Sequence, residues 1–220
     1  LVHDAAARSL AVRLSWLPHV LRAATEGLHH AQDSPHALDA CSRVVAVLNG
    51  ENHTAWNSRR RVVLAAAPTA ELFGRELALC DLALAHQPHR APTWAYRRWL
   101  LGLPCAQPVL LAALPAFERE CAAVERAATH HLRNYPAWEH RQWLLCRARE
   151  VLEPAQHRHH LAREHAASTE HCRRHVSDAT ALQYRRTLLR HMIEACVPGG
   201  DLGTEACWAL ALVRMYPGHE

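Results

Sequence analysis

The feature that most constrains this fold is a Trp-x-x-Arg core that recurs along the chain. It is complete at Trp56, Trp94 and Trp138, and a fourth copy has Leu182 in the tryptophan place. The spacing is 44 residues from Trp94 to Trp138 and again from Trp138 to Leu182, and 38 from Trp56 to Trp94. Self-similarity at such a period indicates stacked supersecondary units. The cores occupy residues 52–63, 90–101, 134–145 and 178–189.

A second repeating position precedes the core. A glutamate stands 18 residues before three of the core positions, at Glu76, Glu120 and Glu164. Between the two markers a break such as 134–136 interrupts the apolar spacing, and Pro136 suits the first turn of a new helix. Each repeat is therefore predicted to be two antiparallel helices joined by a short turn.

Stacked pairs of this kind predict an all-α fold, a right-handed α-α superhelix (solenoid). Residues 36–220 are assigned to the repeats, and residues 1–35 to an N-terminal helical cap interrupted at Pro18. Residues 197–200 are predicted to be a loop. A fifth, truncated repeat follows, and its core is expected about three residues beyond Glu220.

Composition narrows the functional classes. All 25 basic residues are arginine, the net charge is +4, and no run of like charges exceeds 59–61, so a nucleic-acid partner is not indicated. No apolar run reaches the ~18 residues of a membrane span. The eight cysteines stand singly in apolar helical patterns, which indicates reduced core thiols and a cytoplasmic protein.

The core residues are predicted to be structural. Positions i and i+3 share a helix face, so the indole can fill the space between helix pairs while the guanidinium lies beside it. About half of the arginines are expected to pair with acids such as Glu76, Glu120 and Glu164, and the others to face a partner or an anionic ligand. The predicted structural set is Trp56, Arg59, Trp94, Arg97, Trp138, Arg141, Leu182 and Arg185.

Two copies carry a family resemblance. Residues 51–60 and 134–143 are the closest to the repeat Asn-Tyr-x-x-Trp-x-x-Arg-Arg of protein prenyltransferase α subunits. The chain resembles that family over roughly residues 36–220, and is most similar to a divergent, repeat-containing member. The resemblance implies a crescent of helical hairpins around a β subunit. That partner would hold the catalytic zinc, the lipid pocket and the substrate cysteine, and this chain would hold no cofactor.

The resemblance also implies that turns before the cores face the prenyl diphosphate. His89 stands where farnesyl-type subunits have lysine, while Ala91 and Pro136 replace a tyrosine and a histidine of the family pattern. Asn134 and Tyr135 match it. The candidates are therefore His89, Arg90, Asn134 and Tyr135, with no residue assigned as catalytic.

The implied function is the α subunit of a heterodimeric protein prenyltransferase. Geranylgeranyl transfer to C-terminal cysteines of trafficking proteins of the SNARE or Rab type is expected, with a β subunit of the Rab type. One alternative is a non-enzymatic helical-repeat interaction scaffold, although the tetratricopeptide period of about 34 and its motif do not match. The other is an RNA-binding repeat, which the charge favours only weakly.

The 19 histidines suggest one further site class. His171 and His175 are four residues apart on a predicted helix, a spacing that can bind zinc. The nearby acids form no third-ligand pattern, so no metal site is predicted in this chain.

Overall fold

The computed structural model describes residues 2–4, 9–11, 14–31 and 34–216. It has an antiparallel pair of short strands, β1 (Val2–Asp4) and β2 (Ser9–Ala11), and a 3-10 turn at Leu14–Trp16; the other elements of the described chain are eleven α-helices. The predicted all-α class is confirmed. None of the described helices combines the length and apolarity needed to cross a bilayer.

The chain divides into two compact units, residues 1–110 and 111–220. The helices of the first unit are α1 (Leu17–His30), α2 (Pro35–Leu48), α3 (His53–Ala65), α4 (Ala70–His86), α5 (Ala91–Gly102) and the short α6 (Gln107–Leu110). Helix α2 packs on α3 and α4 packs on α5, while α2 also contacts α4 and α3 contacts α5. Two helix pairs are therefore stacked, with α1 against α2.

The second unit repeats this arrangement. Its helices are α7 (Leu114–His130), α8 (Tyr135–Val151), α9 (Pro154–Arg174), α10 (Ala179–Glu194) and α11 (Leu202–Met215). Helix α7 pairs with α8 and α9 pairs with α10, and α8 and α10 also pack on each other. The predicted loop at 197–200 lies between α10 and α11, and Gly199 there has φ +78°, a conformation that glycine adopts without strain.

The N-terminal prediction is wrong in two respects. Residues 2–4 and 9–11 form strands, and Pro18 does not interrupt a helix. It lies in the first turn of α1, where its fixed φ and missing N–H are tolerated. Residues 1, 5–8, 12–13 and 32–33 of the predicted cap are outside the described residues.

The three tryptophans at the core positions are buried, whereas the leucine at the fourth core position is not. Trp56, Trp94 and Trp138 are at most 3% exposed, whereas Leu182 is 38% exposed. The indoles contact a tyrosine of the following second helix: the ring centroids of Trp56 and Tyr96 are 4.9 Å apart, and those of Trp138 and Tyr184 are 5.2 Å apart. Within the described residues no second helix follows α11, so nothing equivalent covers Leu182.

The cysteine prediction is also only partly correct. All eight are free thiols, but only three are buried and one is half-buried; four are exposed, namely Cys105, Cys146, Cys196 and Cys207. An isolated cysteine in an apolar pattern therefore did not identify the buried face in half of the cases.

Candidate functional site in the inter-helix turns

The turn between the two helices of a repeat is fixed by a cap four residues before the core position. The Asn52 side chain accepts a hydrogen bond from Ala55 N at 2.9 Å, and the Asn134 side chain accepts one from Ala137 N at 3.3 Å. Asp178 accepts from Thr180 N and Ala181 N at 3.1 and 3.3 Å. Each satisfies an N–H that the first helical turn would leave unpaired.

Arg90 is the exception in this series. It occupies the N-cap position of α5 and makes no side-chain cap, and a cation is disfavoured at a helix N-terminus. Its Nε donates to Gln87 Oε1 at 3.1 Å, and its Nη1 lies 3.4 Å from Glu51 Oε1. The Arg90 side chain is 35% exposed. This turn therefore presents a positive group where the other turns present a neutral or acidic cap.

The turn at 87–90 is tied to the turn at 49–52. Gly50 N donates to Gln87 Oε1 at 3.2 Å, and Gln87 Nε2 donates to Leu48 O at 3.0 Å. A Cβ on Gly50 would lie 3.1 Å from Arg90 Cγ and 3.1 Å from Thr93 Oγ1. The close approach of the two turns therefore favours glycine at position 50, because a larger residue would displace Arg90 or Thr93.

The indole nitrogen joins each second helix to its own turn in the first unit. Trp56 Nε1 donates to Gly50 O at 3.0 Å, and Trp94 Nε1 donates to Pro88 O at 2.9 Å, six residues back in both cases. Trp138 differs: its Nε1 is buried without a hydrogen-bond partner among the described residues. Its ring packs edge-on against His171, with centroids 4.9 Å apart.

The predicted diphosphate-facing residues fall in both units. His89 is half-buried and precedes Arg90 in the first. In the second, Tyr135 is 68% exposed, whereas Asn134 is 1% exposed. The Asn134 amide is used internally at both atoms, because its Nδ2 also donates to Ala127 O at 3.4 Å. Asn134 therefore positions the turn, and Tyr135 and Arg90 have the side chains available for contact.

Tyr135 borders a cavity of about 470 Å³ between the N-terminal parts of α8 and α10. The cavity floor includes the buried rings of Trp138 and Tyr184, and its rim includes Glu139 and Gln183. Its volume falls in the range of roughly 300–1,000 Å³ that small-molecule pockets occupy. Apolar rings below and polar side chains above make it suitable for an amphipathic group.

Buried arginine–glutamate pairs hold the helices behind these turns. Arg141 Nε lies 2.7 Å from Glu164 Oε2 on the next helix pair, and Arg141 Nη1 lies 2.9 Å from Glu125 of its own pair. Arg185 likewise contacts Glu205 at 2.5 Å and Thr169 at 2.7 Å. Each arginine thus joins its own repeat to the following one. These contacts are of the kind expected for a structural role of the core arginines.

The first unit contains the same arrangement. Arg59 pairs with Glu76 through both carboxylate oxygens and with Asp39 at 2.5 Å. Arg97 pairs with Asp81 at 2.8 Å. All four core arginines are therefore engaged with acids, more than the half that was predicted, and none of them is the positive group that faces outward.

The glutamate has a second donor that the sequence reading missed. Tyr96 Oη donates to Glu76 at 2.7 Å, and His140 Nε2 lies 3.1 Å from Glu120. In both cases the donor follows the glutamate by 20 residues and stands two residues after the core position. A regular offset between an acid and an aromatic residue was visible in the sequence and could have identified these pairs.

Charge pairing shifts the ionisation of these groups. Burial disfavours the charged form of Glu164, but the Arg141 charge and hydrogen bonds outweigh it and hold the Glu164 pKa at about 2. Burial and the neighbouring Glu164 charge raise the pKa of Tyr184 well above its usual range, so its hydroxyl remains a donor. The network is therefore a fixed ionic scaffold and not an acid–base pair.

His171, one of the two histidines with zinc-ligand spacing, pairs with carboxylates. His171 Nε2 lies 3.2 Å from Asp178 and Nδ1 lies 3.3 Å from Glu125, so both ring nitrogens face carboxylates. Burial lowers the His171 pKa, but hydrogen bonds to Asp178 and Glu125 outweigh it and raise the pKa. Among the described residues no group of three or more His, Cys, Asp or Glu is arranged to hold a metal ion.

Comparison with known proteins agrees with this geometry. Residues 73–103 and 117–148 match the family model described as protein prenyltransferase alpha subunit repeat. The first segment contains His89 and Arg90 with their flanking helices, and the second contains Asn134 and Tyr135 with theirs. The comparison with curated proteins returns no match.

Proposed function

Because this chain carries the repeat of the protein prenyltransferase alpha-subunit family, we propose that it is the α subunit of a heterodimeric enzyme that transfers a geranylgeranyl group to C-terminal cysteines of trafficking proteins of the SNARE or Rab type. Its partner is a β subunit of the Rab type, and the complex works in the cytoplasm. The repeat is the observation that carries the proposal. We place the site shared with the β subunit at the exposed inter-helix turns.

Arg90 is the residue of this chain best suited to the diphosphate of the prenyl donor. Its guanidinium is partly exposed, it stands beside His89, and Gln87 and Glu51 hold it in place. Two of its five N–H donors face these neighbours, which leaves others for anionic oxygens. A guanidinium at this position would stabilise negative charge that develops on the leaving diphosphate.

In the unit formed by residues 111–220, Tyr135 is the residue we assign to contact with the prenyl donor, and Asn134 positions it. The exposed phenol borders the 470 Å³ cavity between α8 and α10. Its hydroxyl can donate to a phosphate oxygen, and its ring can pack along a prenyl chain. Asn134 holds the backbone of this turn from beneath through bonds to Ala137 N and Ala127 O.

The zinc chemistry belongs to the partner in this proposal. Bound zinc lowers the pKa of a coordinated thiol, so that the substrate cysteine can attack as a thiolate. The residues of this chain bind and orient the diphosphate end of the donor and hold the helical surface against the β subunit.

Co-expression of the full-length protein with candidate prenyltransferase β subunits tests the function. We expect a stable complex that transfers a labelled geranylgeranyl group to a protein ending in cysteine. If no β subunit co-purifies and no transfer occurs, the enzyme-subunit function is wrong. A scaffold function would remain if another partner were captured, and salt-sensitive RNA binding would favour the RNA alternative.

Single substitutions then test the turn residues. Arg90→Ala should raise the KM for the prenyl diphosphate roughly tenfold, because a hydrogen bond to a charged group is lost. Tyr135→Phe should have a smaller effect. Arg126→Ala, an exposed arginine of α7, is the matched control and should leave the KM unchanged. Equal KM values for all three variants would remove the contact role of these turns.

A further inference from the structure

A second cavity lies in the unit formed by residues 111–220, at the opposite ends of the same helices. It has a volume of about 460 Å³ and is bordered by the C-terminal parts of α8 and α10 and the first turns of α9. Helix α8 is 17 residues long, so this cavity is about 25 Å from the turn that carries Tyr135. It is therefore separate from the surface assigned to the prenyl donor.

Two buried histidines with unsatisfied ring nitrogens border this cavity. His157 and His191 line the cavity, and each is 9% exposed. His157 Nε2 and His191 Nδ1 are buried and have no hydrogen-bond partner among the described residues. A buried polar atom without a partner costs free energy, so a polar group that reached these nitrogens would be stabilised.

The first turn of α9 borders the cavity at Pro154 and His157. Its N-cap residue, Glu153, makes no side-chain cap. The N–H groups of Ala155 and Gln156 therefore have no partner within the helix. The facing end of α10 is closed instead: its last turn is satisfied by bonds such as Cys196 N to Ile193 O at 3.1 Å and Val197 N to Met192 O at 2.9 Å. The N-terminal end of α9, the positive end of its helix dipole, therefore lies at the cavity.

The charged side chains at the cavity are also predominantly positive. Arg149 and Arg158 border it, and the acid of the set, Glu194, pairs with Arg149 at 3.0 Å. That pair is exposed, with 63% of the Arg149 side chain and 48% of the Glu194 side chain accessible, so an incoming anion can displace the carboxylate at little cost.

We propose that this cavity binds the phosphate group of a small ligand, with Arg149, Arg158 and the N-terminus of α9 as its positive partners and His157 and His191 as hydrogen-bond donors. A phosphate has enough acceptor oxygens to engage several of these groups at once, and arginine matches its geometry. The cavity volume leaves room for a body attached to that phosphate.

Protonation of the histidines is coupled to this binding. Burial lowers the His157 pKa, and the neighbouring His160, His191, Arg149 and Arg158 lower it further. Burial likewise lowers the His191 pKa, where Glu194 opposes the effect of Arg190 and Arg149. An anion favours the protonated imidazole, so binding should take up protons and strengthen as the pH falls through the lowered pKa values.

Titration of the full-length chain with sulfate, inorganic phosphate and pyrophosphate tests the proposal. Sulfate keeps its charge through the neutral and mildly acidic range, so a pH dependence of its binding belongs to the protein. We expect saturable binding in calorimetry that is tighter at lower pH, together with shifts of the His157 and His191 imidazole signals in NMR spectra. Tighter binding of pyrophosphate than of phosphate would indicate a diphosphate-bearing ligand.

Substitutions locate the site. Arg158→Ala and His191→Gln should each weaken binding roughly tenfold, while His159→Gln, an exposed histidine of the same helix, should not change it. Circular dichroism verifies that each variant is folded, and β-subunit binding should be unaffected because the cavity is separate from the inter-helix turns. The proposal is overturned if none of the three anions binds, or if Arg158→Ala and His191→Gln both bind them as well as His159→Gln does.

Discussion

The Tyr184 hydroxyl donates a hydrogen bond of 2.5 Å to Glu164 Oε2, from a position 20 residues later in the chain. The same carboxylate receives Arg141 from the preceding repeat at 2.7 Å. One glutamate therefore joins the two helices of its own repeat and fastens that repeat to its predecessor. Because all three side chains are buried, the strength of this junction can be measured by removing its members one at a time.

Tyr184→Phe removes one donor and leaves the ion pair. A hydrogen bond to a buried charged group contributes about 1.5–3 kcal/mol, so the free energy of unfolding should fall by about that amount. Urea denaturation monitored by circular dichroism measures it. Tyr135→Phe makes the same chemical change at an exposed ring and should leave the midpoint where it is. Similar effects of the two changes would mean that the Tyr184 hydroxyl contributes nothing.

Arg141→Met removes the cation from a buried pair and should be more damaging. An unpaired Glu164 carboxylate would remain in the interior, at a cost of about 3–5 kcal/mol. The double variant Arg141→Met with Glu164→Leu should recover much of that loss, since no buried charge is left. Arg149→Ala interrupts the exposed pair with Glu194 and should cost less than about 1 kcal/mol. A double variant no more stable than Arg141→Met would argue against a buried-charge penalty.

Stability should also fall in acid because of Glu164. Its pKa is about 2 in the folded chain and near its ordinary 4.5 when unfolded, so the carboxylate contributes stability above pH 4.5. That contribution, on the order of 3 kcal/mol, is lost as the pH falls from about 4.5 through about 2. The free energy of unfolding should depend less on pH over this range for Glu164→Gln than for the native chain. Glu170→Gln, an exposed acid paired with Arg174, should keep the slope of the native chain.

Gly50 and Gly74 should respond in opposite directions to alanine. A Cβ at position 50 would crowd Arg90 and Thr93 at 3.1 Å, so Gly50→Ala should destabilise the chain by about 1–3 kcal/mol. At Gly74, in α4, nothing lies within 4 Å of the added atom, and alanine should stabilise the helix by about 0.5–1 kcal/mol. Thermal denaturation distinguishes the two. If Gly50→Ala leaves the denaturation temperature unchanged, the close approach of the two turns does not depend on glycine at position 50.

The two indoles Trp94 and Trp138 should differ when changed to phenylalanine. Both changes remove buried ring area, but only Trp94→Phe deprives a carbonyl, Pro88 O, of its donor. Trp138 Nε1 has no partner among the described residues, so its loss relieves an unsatisfied group. Trp94→Phe should therefore cost about 1 kcal/mol more than Trp138→Phe in chemical denaturation. The reverse order would contradict the hydrogen-bond assignment.

Local sequence predicted the features that depend on local chemistry. The helix pairs and the buried tryptophans follow from the spacing of apolar residues and capping residues. The place of Pro136 in the first turn of α8 follows from the properties of proline. The pairing of Glu76 and Glu164 with core arginines also followed, because both markers recur at fixed offsets. Repetition in a sequence thus carries information about contacts between repeats.

Features that depend on distant neighbours were not predictable. The exposure of Leu182 is decided by which helix packs next to it, and a leucine in an apolar pattern gives no sign of that. The tie between Gly50 and Gln87 joins turns 37 residues apart and has no periodic signature. The burial of Asn134 is similar: its identity matched a contact residue of the family pattern, but its amide serves the turn itself.

The contact of Arg185 with Glu205 bears on where such a chain can be divided. Helix α11 is the first half of a repeat, yet it supplies the carboxylate that the preceding arginine needs, and the Arg185 guanidinium also lies 3.9 Å from the Trp208 ring. The first helix of a repeat is thus sufficient to supply the carboxylate that pairs with the core arginine of the repeat before it. A shortened chain that retains α11 keeps every core arginine paired with an acid, whereas one that ends after α10 leaves Arg185 without the Glu205 carboxylate.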